Sequence, residues 1–341
     1  MPTALLARTR RLLGSPWLRV AGTLGGIAVL VHTVDIPKAV ASLGHADPRW
    51  ILAFLGLSTV AVLASVVEWG VLIRTAVAHA PDHPALFGWR RLGSAYLQSL
   101  FFTQVIPAGV GGDALRTVEM GKHVGHSRVL ASLAGSRMAG MLGMAIWGLA
   151  AAVVLRALLG TGTLMAVAGL AAGIVMIWLT ALSSDRLHLH QAAGRVSQAL
   201  GRALHSFTDA FASYRRHPHA VAQSLLVGAA GWGINLFALE IAARAVGIDL
   251  SWTVFAVAVP LTLLAALAPF SVNGLGVREG VLVYFLAHYA GITAAHAGAI
   301  SLLIDLQMVP FAVIGAALWL RHRRTATAAP LRTPALAAAT S

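Results

Sequence analysis

Two ten-residue stretches bring together the groups with which this chain can do chemistry. One runs Pro107-Ala-Gly-Val-Gly-Gly-Asp-Ala-Leu-Arg116 and the other Pro269-Phe-Ser-Val-Asn-Gly-Leu-Gly-Val-Arg278. Aligned on the proline they share valine three residues on, glycine five on and arginine nine on, with an apolar residue just before the arginine. Charged or amide side chains cluster at each: Asp113, Arg116 and Glu119 in the first, Asn273, Arg278 and Glu279 in the second. Arg137, Glu68, Glu240 and Asp305 are isolated charges in otherwise apolar segments and can reach these clusters. A guanidinium offers a fork of donors matched to phosphate oxygens. A helix that starts after Gly112 or Gly276 adds unpaired N–H groups and the positive end of its dipole. The chemistry expected of such a set is capture of an anionic headgroup. Plainer roles remain open: Arg116 with Glu119 at i, i+3, or Arg278 with Glu279 or Asp305, as buried pairs that lock a hairpin, Asp113 as a helix cap, and Glu68 as an interfacial partner of Arg74.

The elements that must position these groups belong to a membrane. Of 341 residues, 58% are hydrophobic and 11% charged, and the mean hydropathy is +0.78, too little polar surface to solvate a globule of this length. The formal charge of +13 falls between apolar runs. It reads as a topology signal and contact with anionic lipid rather than nucleic-acid binding, since no basic motif or aromatic platform accompanies it. With no cysteine, thiol catalysis, disulfides and thiolate metal sites are excluded. The fourteen histidines show no metal-binding spacing, so no metal or cofactor is expected. Serine-hydrolase, nucleotide-binding and dinucleotide fingerprints are missing as well.

Apolar runs predict spans at 20–34, 50–73, 128–155, 163–182, 220–243 and 294–320, the last kinked at Pro310. Between them lie two helix–break–helix units, 92–123 and 252–290. Pro107, Gly109, Gly111 and Gly112 supply the first break, and Pro269, Gly274 and Gly276 the second. Helices broken at membrane depth are tolerated where the break lines a cavity. The loops at 35–49 and 244–251 are nearly neutral, whereas 74–91 and 321–324 are arginine-rich. This charge bias puts both termini in the cytoplasm, with the first hairpin entering from inside and the second from outside. The expected fold is therefore an all-α polytopic membrane protein of about six full spans plus two re-entrant helical hairpins in an inverted repeat. Residues 1–324 form a single transmembrane domain, in which about 187–216 is a basic amphipathic helix at the cytoplasmic interface, and 325–341 is a disordered tail.

Gly111-Gly-Asp-Ala-Leu-Arg116, Arg137 in the following helix and Asn273-Gly-Leu-Gly-Val-Arg-Glu279 resemble the signature of the lysylphosphatidylglycerol synthase/flippase transmembrane region family, over about Trp17 to Leu320. The resemblance implies a lipid translocator. In members fused to a synthase domain the cargo is an aminoacylated phospholipid, while stand-alone members are associated with glycolipid, polyprenyl-lipid or hopanoid pathways. No aminoacyl-transfer segment follows the last span here, so translocation without synthesis is expected. Two positions depart from the family pattern: Glu68, where a basic residue is common, and Asn273, where glycine is frequent.

The reading is a flippase or scramblase of the bacterial inner membrane with no enzymatic activity. Its cargo is an anionic or polyprenyl-linked phospholipid or a lipid-linked glycan. Arg116, Arg137 and Arg278 grip the phosphate, and Asp113, Glu119 and Glu279 position them or meet a cationic group. The rivals are an integral membrane lipid transferase and a non-transporting partner of a glycosyltransferase or other lipid-synthesis enzyme.

Overall fold

The computed structural model describes residues 36–77, 87–106, 111–182, 211, 213–266 and 276–328. The first expected span, most of the expected amphipathic helix and the break residues Pro107, Gly109, Pro269, Asn273 and Gly274 lie outside them.

Among the described residues the regular structure is helical. A short α1 (Ile36–Gly44) leads into α2 (Pro48–Ala76), which starts sharply because Pro48 occupies its first turn and the Asp47 side chain accepts the Arg49 N–H at 2.8 Å. The first hairpin is α3 (Trp89–Val105) and α4 (Gly111–Val124), followed by α5 (His126–Val154) and α6 (Arg156–Leu182). A 3₁₀ turn at Ser213–Arg216 precedes α7 (Pro218–Ala245). The second hairpin is α8 (Trp252–Ala266) and α9 (Val277–Tyr289), and α10 (Ala294–Leu306) and α11 (Val309–Ala328) complete the order.

Four stretches are long and apolar enough to cross a membrane: Pro48–Ala76, His126–Val154, Pro218–Ala245 and Ala294–Arg323. They coincide with four of the expected spans. The expected 163–182 span falls within α6, whose apolar stretch is Leu164–Ile177. The hairpin helices are shorter: the 17 residues of α3 extend about 26 Å at 1.5 Å per residue, and α4, α8 and α9 are shorter still.

α2 and α7 pack together along their length, and each hairpin closes on itself, α3 on α4 and α8 on α9. The helices that follow the hairpins are exchanged between the halves: α5 packs on α8, and α11 packs on α3. A glycine makes each crossing. A Cβ on Gly148 of α5 would lie 3.0 Å from both the Ala256 carbonyl oxygen and the Pro260 ring of α8. One on Gly315 of α11 would collide with the Leu97 backbone of α3. Only backbones without side chains approach this closely. The hairpins open toward opposite ends of α2. At its start the Asp47 N–H donates to the Ala245 carbonyl, beside the entry to α8, at 3.0 Å. At its finish Arg74 stacks 4.9 Å over the Trp89 ring, at the entry to α3.

Four expectations are corrected. The 294–320 segment is interrupted rather than kinked: α10 ends at Leu306 and α11 begins at Val309, so the helix gives way just before Pro310, whose ring cannot follow an unbroken turn. The last helix continues to Ala328, so 325–328 is helical and not part of a disordered tail. Ser213–Arg216, placed in the amphipathic helix, is a 3₁₀ turn. Its neighbour Phe211 and Tyr214 are buried in protein, edge to face at 5.6 Å, with the Tyr214 hydroxyl donating to the Leu72 carbonyl at 3.3 Å. Finally, Gly111 and Gly112 form the first turn of α4 instead of a loop. Their task is close packing, since a Cβ on Gly112 would meet the Ser99 carbonyl and Thr103 of α3.

Candidate functional site

The first break organises a cavity of about 380 Å³ enclosed by α2, α3, α4, α5, α7 and the turn between α10 and α11. Asp113 lies in the first turn of α4 and Arg116 one turn on, so they share a face. Arg116 Nη2 donates to Asp113 Oδ1 at 2.7 Å, and Arg137 Nε of α5 donates to Asp113 Oδ2 at 2.6 Å. One carboxylate thus joins two guanidiniums.

The two arginines sit differently. The Arg116 side chain is 11% exposed and that of Arg137 53%. Arg116 is held between aromatic faces, 4.6 Å from the Trp69 centroid on α2 and 5.1 Å from that of Tyr96 on α3, a geometry that favours a flat, weakly hydrated cation. Its buried Nε has no hydrogen-bond partner among the described residues. The cavity therefore carries one rigid cation in its wall and one more exposed cation at its surface.

Glu68 borders the same cavity from α2. It is 5% exposed and accepts the Ser136 hydroxyl at 3.0 Å, with no cationic partner among the described residues. The alternative left open for Glu68, a pair with Arg74, does not form, because Arg74 lies two turns away against Trp89. On the far wall, Gln307 donates to the Asn235 side-chain oxygen at 3.3 Å, linking the α10–α11 turn to α7.

The second break forms its own cluster. Gly276 has φ of 80°, a conformation open to glycine at no steric cost. Its N–H donates to Glu279 Oε2 at 2.6 Å, so the buried Glu279 caps α9. The other oxygen of Glu279 accepts Arg278 Nε at 3.2 Å, and Arg278 also pairs with Asp305 of α10. Here two carboxylates surround one guanidinium, the reverse of the first cluster. None of these three residues borders the first cavity, although Gln307 and Met308, just beyond Asp305, do.

Among the described residues, Glu68, Asp113, Arg116 and Arg137 come together and Arg278, Glu279 and Asp305 form a cluster of their own; the break residues 107–110 and 267–275, through which the two were expected to meet, lie outside the described residues. Glu119 does not pair with Arg116, since the aromatic faces turn the guanidinium back toward Asp113. It is exposed and borders a different cavity. Glu240 does not reach either cluster. It pairs with Arg244 at 2.8 Å and accepts the Trp252 N–H at 2.9 Å, capping α8. The sequence reading missed Trp69, Tyr96, Ser136 and the Asn235–Gln307 link. Tyr96 carried a signal, being an aromatic one turn before Ser99 in the polar stretch of α3.

The chain matches no curated protein and no solved structure. It does match the family model described as the lysylphosphatidylglycerol synthase TM region, over residues 17–326. With nearly its whole length covered, the chain belongs to that lipid-related membrane family.

Proposed function

We propose that this protein translocates a phosphate-bearing lipid across the cytoplasmic membrane, holding the headgroup in the cavity of the first break, without catalysing a reaction of its own. The observation that carries this reading is the Asp113-bridged pair Arg116 and Arg137 beside a 380 Å³ cavity in so apolar a chain. Charged groups at membrane depth are costly and mark substrate paths. In this reading the exposed Arg137 meets the phosphate first. Arg116, fixed by Trp69 and Tyr96, keeps a positive potential in the wall, and the unpaired Glu68 faces any amine the headgroup carries.

The opposed hairpins and the exchange of α5 and α11 between halves favour an inverted repeat of two re-entrant hairpins. The arginine-rich ends that charge bias places in the cytoplasm, at α3, α4 and α11, lie together around one cavity. The nearly neutral α1–α2 and α7–α8 connections lie together around another, with Lys38, His45 and Gly247. This grouping supports cytoplasmic termini in an inner membrane.

The test is leaflet exchange. Protein in liposomes with a fluorescent phospholipid is treated with dithionite, which bleaches only the outer leaflet. Bleaching beyond the outer-leaflet share, absent from protein-free vesicles, is the expected result. Bleaching confined to that share with each of several phosphate headgroups would overturn the reading.

A further inference from the structure

A second cavity, of about 740 Å³, opens between the start of α3 and the ends of α4 and α11. Arg90 and Arg91 border it from α3, Lys122 and His123 from α4, and His322 from α11. Among the described lining residues Glu119 is the one carboxylate, so three permanent cations face one acid there before either histidine takes up a proton. Among the described residues, Arg90, Arg91 and Lys122 make no ion pair. Like charges gathered around a concavity repel one another unless a counter-charge enters. The wall itself is built: Gln98 is 3% exposed, and its amide nitrogen lies 3.0 Å from Ser94 Oγ and 3.2 Å from His322 Nδ1. The N-terminus of α3 has no side-chain cap, so its positive dipole end adds to the field.

We propose that this cavity binds a phosphate group bearing two negative charges or more, such as a phosphomonoester or a diphosphate. Its surroundings are those of a headgroup layer. Trp89 stacks with Arg74 at 4.9 Å and Trp319 with Arg323 at 4.3 Å, the aromatic and basic company found where a membrane meets water. The cavity is also continuous with the first hairpin. On α3, Ala95 and Gln98 face it while Tyr96 and Ser99 face the smaller cavity, and on α4 it begins at Glu119, one turn past Arg116. A phosphate loaded here stands one turn of α4 beyond Arg116, at the end of the hairpin opposite its break. The proposal concerns binding alone and holds or fails whether or not the protein moves lipid.

The full chain is placed in phosphatidylcholine nanodiscs. Binding of inorganic pyrophosphate is titrated by calorimetry, and retention of phosphatidic acid is read by native mass spectrometry. Arg90→Gln/Arg91→Gln/Lys122→Gln should weaken both probes roughly tenfold or more, and Glu119→Gln should tighten them a few-fold, an opposite effect that misfolding cannot imitate. Retained phosphatidic acid that pyrophosphate displaces assigns the site to a lipid headgroup. Pyrophosphate binding without enrichment of phosphatidic acid assigns the same site to a soluble anion. Binding of both probes at wild-type strength by the triple variant would overturn the proposal.

Discussion

Arg137 Nε lies 2.6 Å from Asp113 Oδ2, and this contact ties α5 to the first turn of α4. Because Asp113 also holds the buried Arg116, it is the electrostatic keystone of the first break. Asp113→Asn should strand a buried guanidinium and cost about 3 kcal/mol of stability, the usual penalty for removing one partner of a buried pair. The unfolding midpoint of the purified protein checks this. Arg116→Met in the same background should recover part of the loss, and an additive double variant would contradict the pairing.

Arg116→Lys keeps the charge and discards the flat fork between Trp69 and Tyr96. A cost of about 1–2 kcal/mol is expected from the lost stacking. Lipid exchange should fall about tenfold. Unchanged exchange rates in liposomes would mean that charge alone suffices at this position.

Glu68→Gln preserves an acceptor for Ser136, so the fold should stand. Removing the charge should leave exchange of phosphatidylglycerol within about twofold while slowing an amine-bearing headgroup roughly tenfold. Paired rates with phosphatidylglycerol and phosphatidylethanolamine probes measure this, and equal slowing of both would argue against contact with an amine.

Gly276→Ala must adopt φ near 80° with a Cβ present. A loss of about 1–2 kcal/mol is expected, and Gly276→Asn should lose less, because asparagine tolerates the left-handed region. Both are read from the unfolding midpoint. Equal stability of all three proteins would show that this turn relaxes freely.

The two pairs of short helices, α3 with α4 and α8 with α9, were legible in the sequence because proline and glycine punctuate the apolar runs there, and backbone constraints of this kind are local. Which charges would meet was not legible. The repeated motif describes how the chain breaks, but the charge that completes each cluster comes from the next helix, Arg137 on α5 in one half and Asp305 on α10 in the other. Glu119 shows the same limit. Helical spacing allows Arg116 a partner three residues either way, and Trp69 and Tyr96, distant in sequence, decide for Asp113. Glu240 looked like a buried functional charge because its cap on Trp252 crosses a loop.

The most direct measurement compares the clusters in one assay. Dithionite bleaching of a fluorescent phospholipid is followed for wild type, Arg137→Ala, Arg116→Ala and Arg278→Ala in liposomes at matched protein content. If the first break holds the headgroup, Arg137→Ala and Arg116→Ala reduce exchange by about tenfold or more, and Arg278→Ala, whose residue stands outside that cavity, reduces it less. Full exchange in both first-break variants with loss only in Arg278→Ala would contradict the account and move the headgroup to the second cluster.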